Sequence, residues 1–260
     1  MAVPRIAEAV AVADPLKPLP LRRCSILDEL DELGPELSPG ARRAARRRAT
    51  AAVVLLPAGE LPLQRWFAGT LHGPGLLVLG GLIAREVHVA ERTSTELLGP
   101  GDLLRPWDVD ADDPVACDVV WRGLVDAEVA LLDAFFADRI RPWPQIACDL
   151  MGCAVHRAES VAVQRAISCH PRVDMRVAML LWHLAGRWGK LERDGGVRLP
   201  LPLTHRLIGE LIGAERPSVT HALQRLAKGG QIVRDGDGWH LHGTPADAAE
   251  AASQPLPAHH

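Results

Sequence analysis

The chain has 260 residues, of which 48% are hydrophobic and 23% are charged, and its formal net charge is −3 at pH 7. This composition excludes an intrinsically disordered chain, and no apolar run reaches the ~20 residues that a membrane-spanning helix needs. Prolines and acids interrupt the first 21 residues, which excludes a secretory signal. We therefore expect a cytoplasmic protein of two modest domains, with no membrane contact and with its five cysteines reduced.

The charge is divided unevenly along the chain. Residues 1–164 carry a formal charge of −6, whereas residues 165–245 carry +5. An acidic part followed by a basic part is the asymmetry expected of a sensor joined to a domain that binds a polyanion. Only three of the 29 basic residues are lysines, a bias typical of GC-rich coding genomes. The number of arginines is therefore a weak indication of a nucleic-acid partner.

Two segments precede the first predicted strand. Residues 1–24 are rich in Pro and Ala without a regular period and are interpreted as a flexible arm. A short helix is predicted over 41–49, with Ser38 as its N-cap and Pro39 in its first turn. Its run of arginines is interpreted as a solvated face, with a nucleic-acid patch as the alternative.

Between Thr50 and Asp133 the sequence changes to short apolar segments separated by Gly and Pro. Strands are predicted over 52–56, 75–79, 83–89, 119–125 and 128–132. Several short strands without a helical run between them favour a sandwich or jelly roll. Residues 25–142 are therefore interpreted as a jelly-roll sensor domain.

Residues 145–168 predict one long helix, because they contain no Pro and place apolar residues at helical spacing. Small residues form a stripe along it at Ala147, Ala154, Ala158 and Ala162. This stripe suits packing against a second copy of the helix, and burial against its own domain is the alternative. Residues 143–170 are interpreted as a dimerisation helix, and a second amphipathic helix is predicted over 172–188.

The segment 203–232 carries the most specific pattern. Thr204 can cap a helix that runs to Ile212, and Gly213 permits a left-handed turn. Pro217 stands where a second helix begins, a position at which its missing N–H costs nothing. The second helix separates an apolar face from a polar face that includes Ser218, His221 and Arg225.

Strand-like segments surround this helix pair. Residues 231–234 and 239–242 are joined by a Gly-rich turn, which predicts a hairpin, and 197–202 offers a third strand. The pattern predicts a winged helix-turn-helix domain over 171–243, followed by a flexible tail over 244–260.

Four segments of this domain resemble the DNA-binding domain of the cAMP receptor protein/FNR (Crp/Fnr) family. They are Arg172-Val-Asp-Met-Arg176, Leu180-Leu-Trp-His-Leu184, Leu199-Pro-Leu-Pro-Leu-Thr204 and Ile212-Gly-Ala-Glu-Arg-Pro-Ser-Val-Thr220. The resemblance covers about 25–243 and is strongest over 172–243. It implies an α+β chain with a sensor domain like the cyclic-nucleotide-binding fold, a homodimer paired through the long helix, and transcription control at palindromic double-stranded DNA sites. RNA polymerase is an open candidate partner.

The resemblance also assigns site residues. Arg216 stands where family members carry an arginine that reads guanine, and a guanidinium can contact O6 and N7 of guanine together. The acidic base-reading position of the family is Pro217 here, and a second basic position is His221, so we expect a different target sequence. The candidate DNA-binding residues are Thr204, His205, Arg216, Ser218, Thr220, His221 and Arg225.

The sensor domain departs from the cyclic-nucleotide cassette of the family. Asp102 takes the place of the glutamate that binds the ribose, and Arg105 comes too early and is followed by Pro106. Carboxylates at 108, 110, 112 and 113 would repel a phosphate. We therefore expect that cAMP does not bind, and we assign no cofactor and no cofactor-binding residue. The identity of an effector stays open.

Other sensing chemistries are weighed in the same way. Cys24 stands alone near the N-terminus, which does not fit an iron–sulfur cluster. Asp149, Cys153 and His156 share a helical face and could hold a metal, but buried cysteines at helix interfaces are more common, so no metal site is predicted. The tryptophans at 66, 107, 121 and 143 are either core or the lining of an apolar pocket.

The leading hypothesis is a dimeric, sequence-specific transcription regulator. The alternative is a metabolite- or metal-sensing module whose winged domain mediates protein contact. No hydrolase triad, zinc-protease motif or phosphate-binding loop is present in the sequence, so we do not expect an enzyme.

Overall fold

The N-terminal part of the chain is built mainly of antiparallel strands. A computed structural model describes residue 18 and the ranges 20–67, 72–107, 115–193, 195–236 and 238–248. The elements of this part, in chain order, are β1 (Pro20–Ser25), α1 (Ile26–Glu29), α2 (Pro39–Arg48), β2 (Thr50–Leu56), β3 (Gly59–Glu60), α3 (Leu63–Phe67), β4 (Gly75–Val89), β5 (Arg92–Leu98), β6 (Leu103–Leu104), β7 (Asp118–Leu132) and α4 (Ala134–Ile140).

These strands form one seven-stranded antiparallel sheet. The order is β1-β2-β7-β4-β5, while β3 pairs with β7 and β6 pairs with β4. The prediction of two short strands over 75–89 and two over 119–132 is wrong, because β4 and β7 are each continuous over 15 residues. The register of β4 against β7 shifts between Val78 and Ile83. Gly81 has φ +84° there, and a Cβ atom on it would lie 2.3 Å from the Asp126 carbonyl oxygen, so the glycines mark a bulge within a strand.

Residues 20–24 and 244–248 are more ordered than the sequence predicts. Residues 20–24 were assigned to a flexible arm, but they belong to β1, which pairs with β2. At the other end Ala248 is only 3% exposed and packs against the C-terminal core. The tail prediction is therefore wrong for 244–248, since burial of a side chain opposes mobility there. Residues 1–17 and 249–260 lie outside the described residues.

The predicted helix over 41–49 is confirmed as α2. Ser38 caps it by accepting a hydrogen bond from the Ala41 amide at 3.3 Å. Arg42 donates to the carbonyl oxygens of Leu33 and Gly34, so this arginine holds a loop instead of facing solvent. Arg46 forms an ion pair with Asp28. Arg43, Arg47 and Arg48 of the same helix are exposed.

The tryptophans of the sensor domain are core residues. Trp66 and Trp121 are about 95% buried in the cluster inside the sheet, and Trp107 packs against it. Trp143 packs against a second cluster, formed by α1, α2, α4 and the start of the long helix. Full burial of one large apolar side chain stabilises the fold by about 1.5–3 kcal/mol, which accounts for their placement.

The long helix predicted over 145–168 is confirmed as α5 (Pro144–Ser168). One face packs against the sensor domain through Ile146, Leu150 and Cys153. Outside this contact Met151, Val155 and Val161 are between 42% and 65% exposed. All four alanines of the stripe are exposed, so burial of the stripe against its own domain is not observed, and pairing with a second copy stays a prediction.

The C-terminal part consists of helices and a small sheet. Its elements are α6 (Val173–Trp188), β8 (Lys190–Leu191), β9 (Val197–Leu199), α7 (His205–Ile212), α8 (Arg216–Lys228), β10 (Ile232–Asp235) and β11 (Gly238–Leu241). The sheet order is β10-β11-β9-β8, so the predicted hairpin and third strand are confirmed and β8 adds a fourth. Among the described residues, no helix is long and apolar enough to cross a membrane.

The C-terminal domain packs directly against the seven-stranded sheet. Its apolar core is continuous with Leu82, Ala84 and Leu97 of β4 and β5. Polar bridges surround this contact, because the Gln164 side-chain amide donates to the carbonyl oxygens of both Thr95 and Leu211, at 2.7 and 2.9 Å. The position of the helix-turn-helix relative to the sheet is thus set by packing as well as by chain connection.

Candidate nucleic-acid interface

The helix–turn–helix geometry follows from a few local features. The Thr204 hydroxyl accepts a hydrogen bond from the Leu207 amide at 3.1 Å and so caps α7. Gly213 ends α7 in the left-handed conformation, with φ +62°. Gly209 lets the turn approach, since a Cβ atom there would lie 2.4 Å from the Ala214 carbonyl oxygen. Pro217 then stands in the first turn of α8, as the sequence predicts.

Burial separates the two faces of α8. Val219, Ala222, Leu223 and Leu226 are all buried against α6 and α7. The predicted residues Arg216, Ser218, His221 and Arg225 are exposed. The structure thus brings Ser218, His221 and Arg225 together on one surface, as helical spacing requires, while Arg216 is exposed at the first residue of the helix.

Two further residues extend this surface. Gln224 and Lys228 are exposed on α8 and follow His221 at spacings of three and seven. The same helical period that identified His221 predicts them, but neither is among the candidate residues of the sequence analysis. Together with the four predicted side chains they form what we call the reading face of α8.

The other three candidates contribute to the architecture of the motif. The Thr204 hydroxyl is used by the cap of α7. His205 Nδ1 lies 2.9 Å from Thr220 Oγ1, and the Thr220 hydroxyl donates to the Arg216 carbonyl oxygen at 3.0 Å. Burial, followed by the charges of Arg216 and Arg234, lowers the pKa of His205. A neutral imidazole therefore joins α7 to α8, which orients the start of the reading face.

The wing is tied to the rest of the domain by arginines. Arg234 donates to the Leu203 carbonyl oxygen at 2.9 Å and lies over the ring of Trp239, 4.7 Å from its centroid. Arg198 pairs with Asp235 across the sheet at 2.9 Å. These contacts anchor the hairpin beside α7.

The two residues that the resemblance aligns with the cyclic-nucleotide cassette, Asp102 and Arg105, are engaged within the protein. Asp102 is 2% exposed, and its carboxylate accepts hydrogen bonds from the Gly99 amide at 2.8 Å and from Arg187 at 2.6 Å. Burial raises the pKa of Asp102, while the charge of Arg187 offsets part of this rise. Arg105 instead donates to the Gly73 carbonyl oxygen at 2.6 Å. The acidic residues at 108, 110, 112 and 113 lie outside the described residues.

The face of α5 that could hold a metal has structural partners. Asp149 accepts a hydrogen bond from the Gly34 amide at 2.7 Å, and Cys153 packs against the apolar cluster below it. Burial raises the pKa of the Cys153 thiol, which disfavours the thiolate that a metal needs. Within the described ranges no group of three His, Cys, Asp or Glu side chains is arranged to hold a metal ion. All five cysteines are free.

Comparison with known proteins identifies the C-terminal domain. Residues 175–242 match the family of Crp-like helix-turn-helix domains. This match covers α6, α7, α8 and the wing, and therefore the whole reading face. No curated protein sequence matches the chain.

Solved structures share the overall fold. FixK2 from Bradyrhizobium japonicum is 16% identical with a TM-score of 0.55, and the match covers 79% of this chain and 99% of that chain. A CooA mutant from Carboxydothermus hydrogenoformans is 16% identical with a TM-score of 0.53, covering 78% and 88%. A protein with a cyclic nucleotide-binding domain from Listeria monocytogenes EGD-e is 12% identical with a TM-score of 0.58, covering 74% and 88%. At these identities the likeness shows the fold, and it confirms the predicted α+β architecture.

Proposed function

We propose that this chain is a Crp/Fnr-type DNA-binding transcription regulator, which binds a palindromic operator as a homodimer without requiring cAMP. The observation that carries the proposal is the reading face of α8. Arg216 stands exposed at the start of this helix, and His221 and Gln224 are exposed further along it. An exposed guanidinium at a helix N-terminus that enters the major groove can pair with a guanine edge.

The exposed face of α5 supports the homodimer. Ala147, Met151, Ala154, Ala158 and Val161 are exposed and alternate at spacings of four and three. This heptad spacing is the pattern by which two helices pack knobs into holes. A second copy of α5 would remove these apolar side chains from water, and twofold symmetry would present two reading faces to two inverted half-sites.

Independence from cAMP is supported by the partners of two sensor residues. The buried carboxylate of Asp102 accepts a hydrogen bond from Arg187, and Arg105 donates one to the Gly73 carbonyl oxygen. A nucleotide that used these two groups would have to break both sets of contacts. We assign no other effector, and no surface to RNA polymerase.

Selection of bound duplexes from a random DNA pool tests this proposal. The expected product is an inverted repeat with half-site centres about 34 Å apart, whose affinity falls steeply with salt and does not change when cAMP is added. Absence of any enriched sequence would overturn the DNA-binding function and favour the protein-contact alternative. Enrichment of a single half-site would overturn the proposed binding as a homodimer. Tighter binding in the presence of cAMP would overturn only the proposed independence from cAMP.

A further inference from the structure

A positively charged cleft lies beside the reading face. Its volume is about 760 Å³, and its lining includes Arg172 and Asp174 from the start of α6 and Ser218, His221, Arg225 and Lys228 from α8. Three of the charged lining residues are basic and one is acidic. The cleft thus carries an excess of positive charge directly beside the surface that is proposed to read base edges.

Asp174, the acid among the described lining residues, joins two arginines that stand at the start of α6 and in α8. Asp174 is 5% exposed, and its carboxylate accepts from Arg172 Nε at 3.3 Å and from Arg172 Nη2 at 2.7 Å. Arg225 Nη2 lies 3.2 Å from the same carboxylate. Burial alone would raise the pKa of Asp174, but the hydrogen bond from Arg172 and the charges of Arg225 and Arg172 hold it below its ordinary value. Asp174 is therefore an anion that fixes both guanidinium groups.

The two arginines are not enclosed by this contact. Their side chains are 37% and 41% exposed, whereas that of Asp174 is 7% exposed. Asp174 also lines the cleft, but its carboxylate is far less exposed than the two guanidinium groups, which therefore present the more accessible polar atoms. A guanidinium has five N–H donors in a rigid fork that suits phosphate oxygens, which is why paired arginines bind phosphate strongly.

The neighbouring residues indicate which phosphate-containing molecule would bind. Ser218 and His221 line the cleft and also belong to the reading face. A duplex that lies on the reading face must therefore bring its sugar–phosphate backbone to the rim of the cleft. Backbone contacts of this kind set the register of a protein on DNA without reading its sequence.

We propose that Arg172 and Arg225, oriented by Asp174, form a clamp for one backbone phosphate of the DNA that α8 reads. The inference rests on the proposed DNA-binding function and names two residues, Arg172 and Asp174, that the sequence did not identify as part of the site. Arg172 and Arg225 supply the donors. Asp174 is a positioning residue that does not contact DNA.

The salt dependence of DNA affinity tests the clamp. Arg172→Ala and Arg225→Ala are each expected to weaken binding roughly tenfold, to the same extent on the selected operator and on unrelated duplex, because a phosphate contact carries no sequence information. The slope of log affinity against log salt concentration should become shallower by about 0.9, the value for one phosphate contact. The salt slope of the double variant should also become shallower by no more than about 0.9, because both arginines hold the same phosphate.

The Asp174→Asn variant distinguishes a role of Asp174 in positioning the two arginines from a direct effect of its negative charge on DNA affinity. Removing a negative charge near DNA would tighten binding if charge alone mattered. The clamp predicts the opposite result: weaker binding and a shallower salt slope, with both arginines still present. Thermal unfolding and circular dichroism of this variant verify that it is folded, and the two arginine variants test the clamp independently if it is not.

Arg206→Ala is the matched control, because Arg206 is an exposed arginine of α7 that pairs with Glu210 and does not line the cleft. We expect its salt slope to equal that of the unchanged protein. Three results would each overturn the clamp. They are unchanged salt slopes in both single arginine variants, a salt slope shallower by about 1.8 in the double variant, and tighter binding by folded Asp174→Asn. Failure of the unchanged protein to bind any duplex would instead overturn the proposed function itself.

Discussion

Arg187, in the last turn of α6, forms an ion pair with the buried carboxylate of Asp102, in the turn that follows β5, with Nη2 2.6 Å from Oδ1. The pair joins the first helix of the DNA-binding domain to the sensor sheet. Arg187 Nη1 also donates to Ser160 Oγ of α5 at 3.1 Å, and this hydroxyl lies 2.9 Å from His183 Nε2. Four side chains therefore connect the sheet, the long helix and α6 through buried or half-buried polar contacts.

Asp102→Asn should reduce the stability of the chain strongly. The substitution leaves the Arg187 guanidinium half-buried without its counter-charge, and breaking a buried pair in this way costs about 3–5 kcal/mol. We expect the lower end of this range, because the Arg187 side chain is still 22% exposed. Urea denaturation followed by tryptophan fluorescence measures the change.

Asp235→Asn is the control for this measurement. Asp235 pairs with Arg198 at 2.9 Å on the exposed outer side of the wing. An exposed pair contributes about 0–1 kcal/mol, so this variant should unfold at nearly the same urea concentration as the unchanged protein. Equal losses in the two variants would contradict a special contribution of the Asp102–Arg187 pair.

The contribution of His183 should depend on pH. Burial, followed by the charge of Arg187, lowers the pKa of this imidazole in the folded protein. Below the unfolded-state pKa of about 6.5 the unfolded chain binds a proton that the folded chain resists, so stability falls as the pH drops through that value. The free energy of unfolding of the unchanged protein should therefore decline more steeply between pH 7.5 and pH 5.5 than that of His183→Gln. Parallel declines would show that His183 does not titrate in this way.

Val161→Glu should dissociate the proposed homodimer. Val161 is 42% exposed and lies on the apolar stripe of α5, where a second copy would bury the introduced carboxylate. Val163→Glu is its matched control, because Val163 is 46% exposed but lies two residues further along the helix, about 200° around its axis. Sedimentation velocity should show a monomer for Val161→Glu and a dimer for Val163→Glu. A dimer in both cases would place the interface elsewhere.

Arg216→Ala should weaken operator binding and broaden its specificity. Loss of a bidentate contact to guanine costs about 1–3 kcal/mol, and it should relax one base position in each half-site. Binding to unrelated duplex should change less, which distinguishes this residue from the arginines of the cleft. Fluorescence anisotropy with single-base operator variants measures both effects. An unchanged base preference would contradict the role assigned to Arg216.

Much of the C-terminal domain could be predicted from the sequence because its signals are local. The Thr204 cap, the Gly213 turn and the apolar spacing within α8 all act over fewer than ten residues, and each is confirmed. The family match over 175–242 covers the same region. The roles of His205 and Thr220 could not be predicted, since their mutual contact depends on how two helices cross.

The sequence by itself determined the kind of domain at the C-terminus, the long helix, and the antiparallel character of the N-terminal part. Only the tertiary structure decided that β4 and β7 are continuous strands and that β1 joins the sheet. It also decided that Asp102 pairs with Arg187, 85 residues away. The same holds for Asp174, whose carboxylate joins the start of α6 to the last turn of α8. Caps, turns and amphipathic periods are properties of neighbouring residues, whereas the partner of a buried charge is set by packing between segments that are distant in the chain.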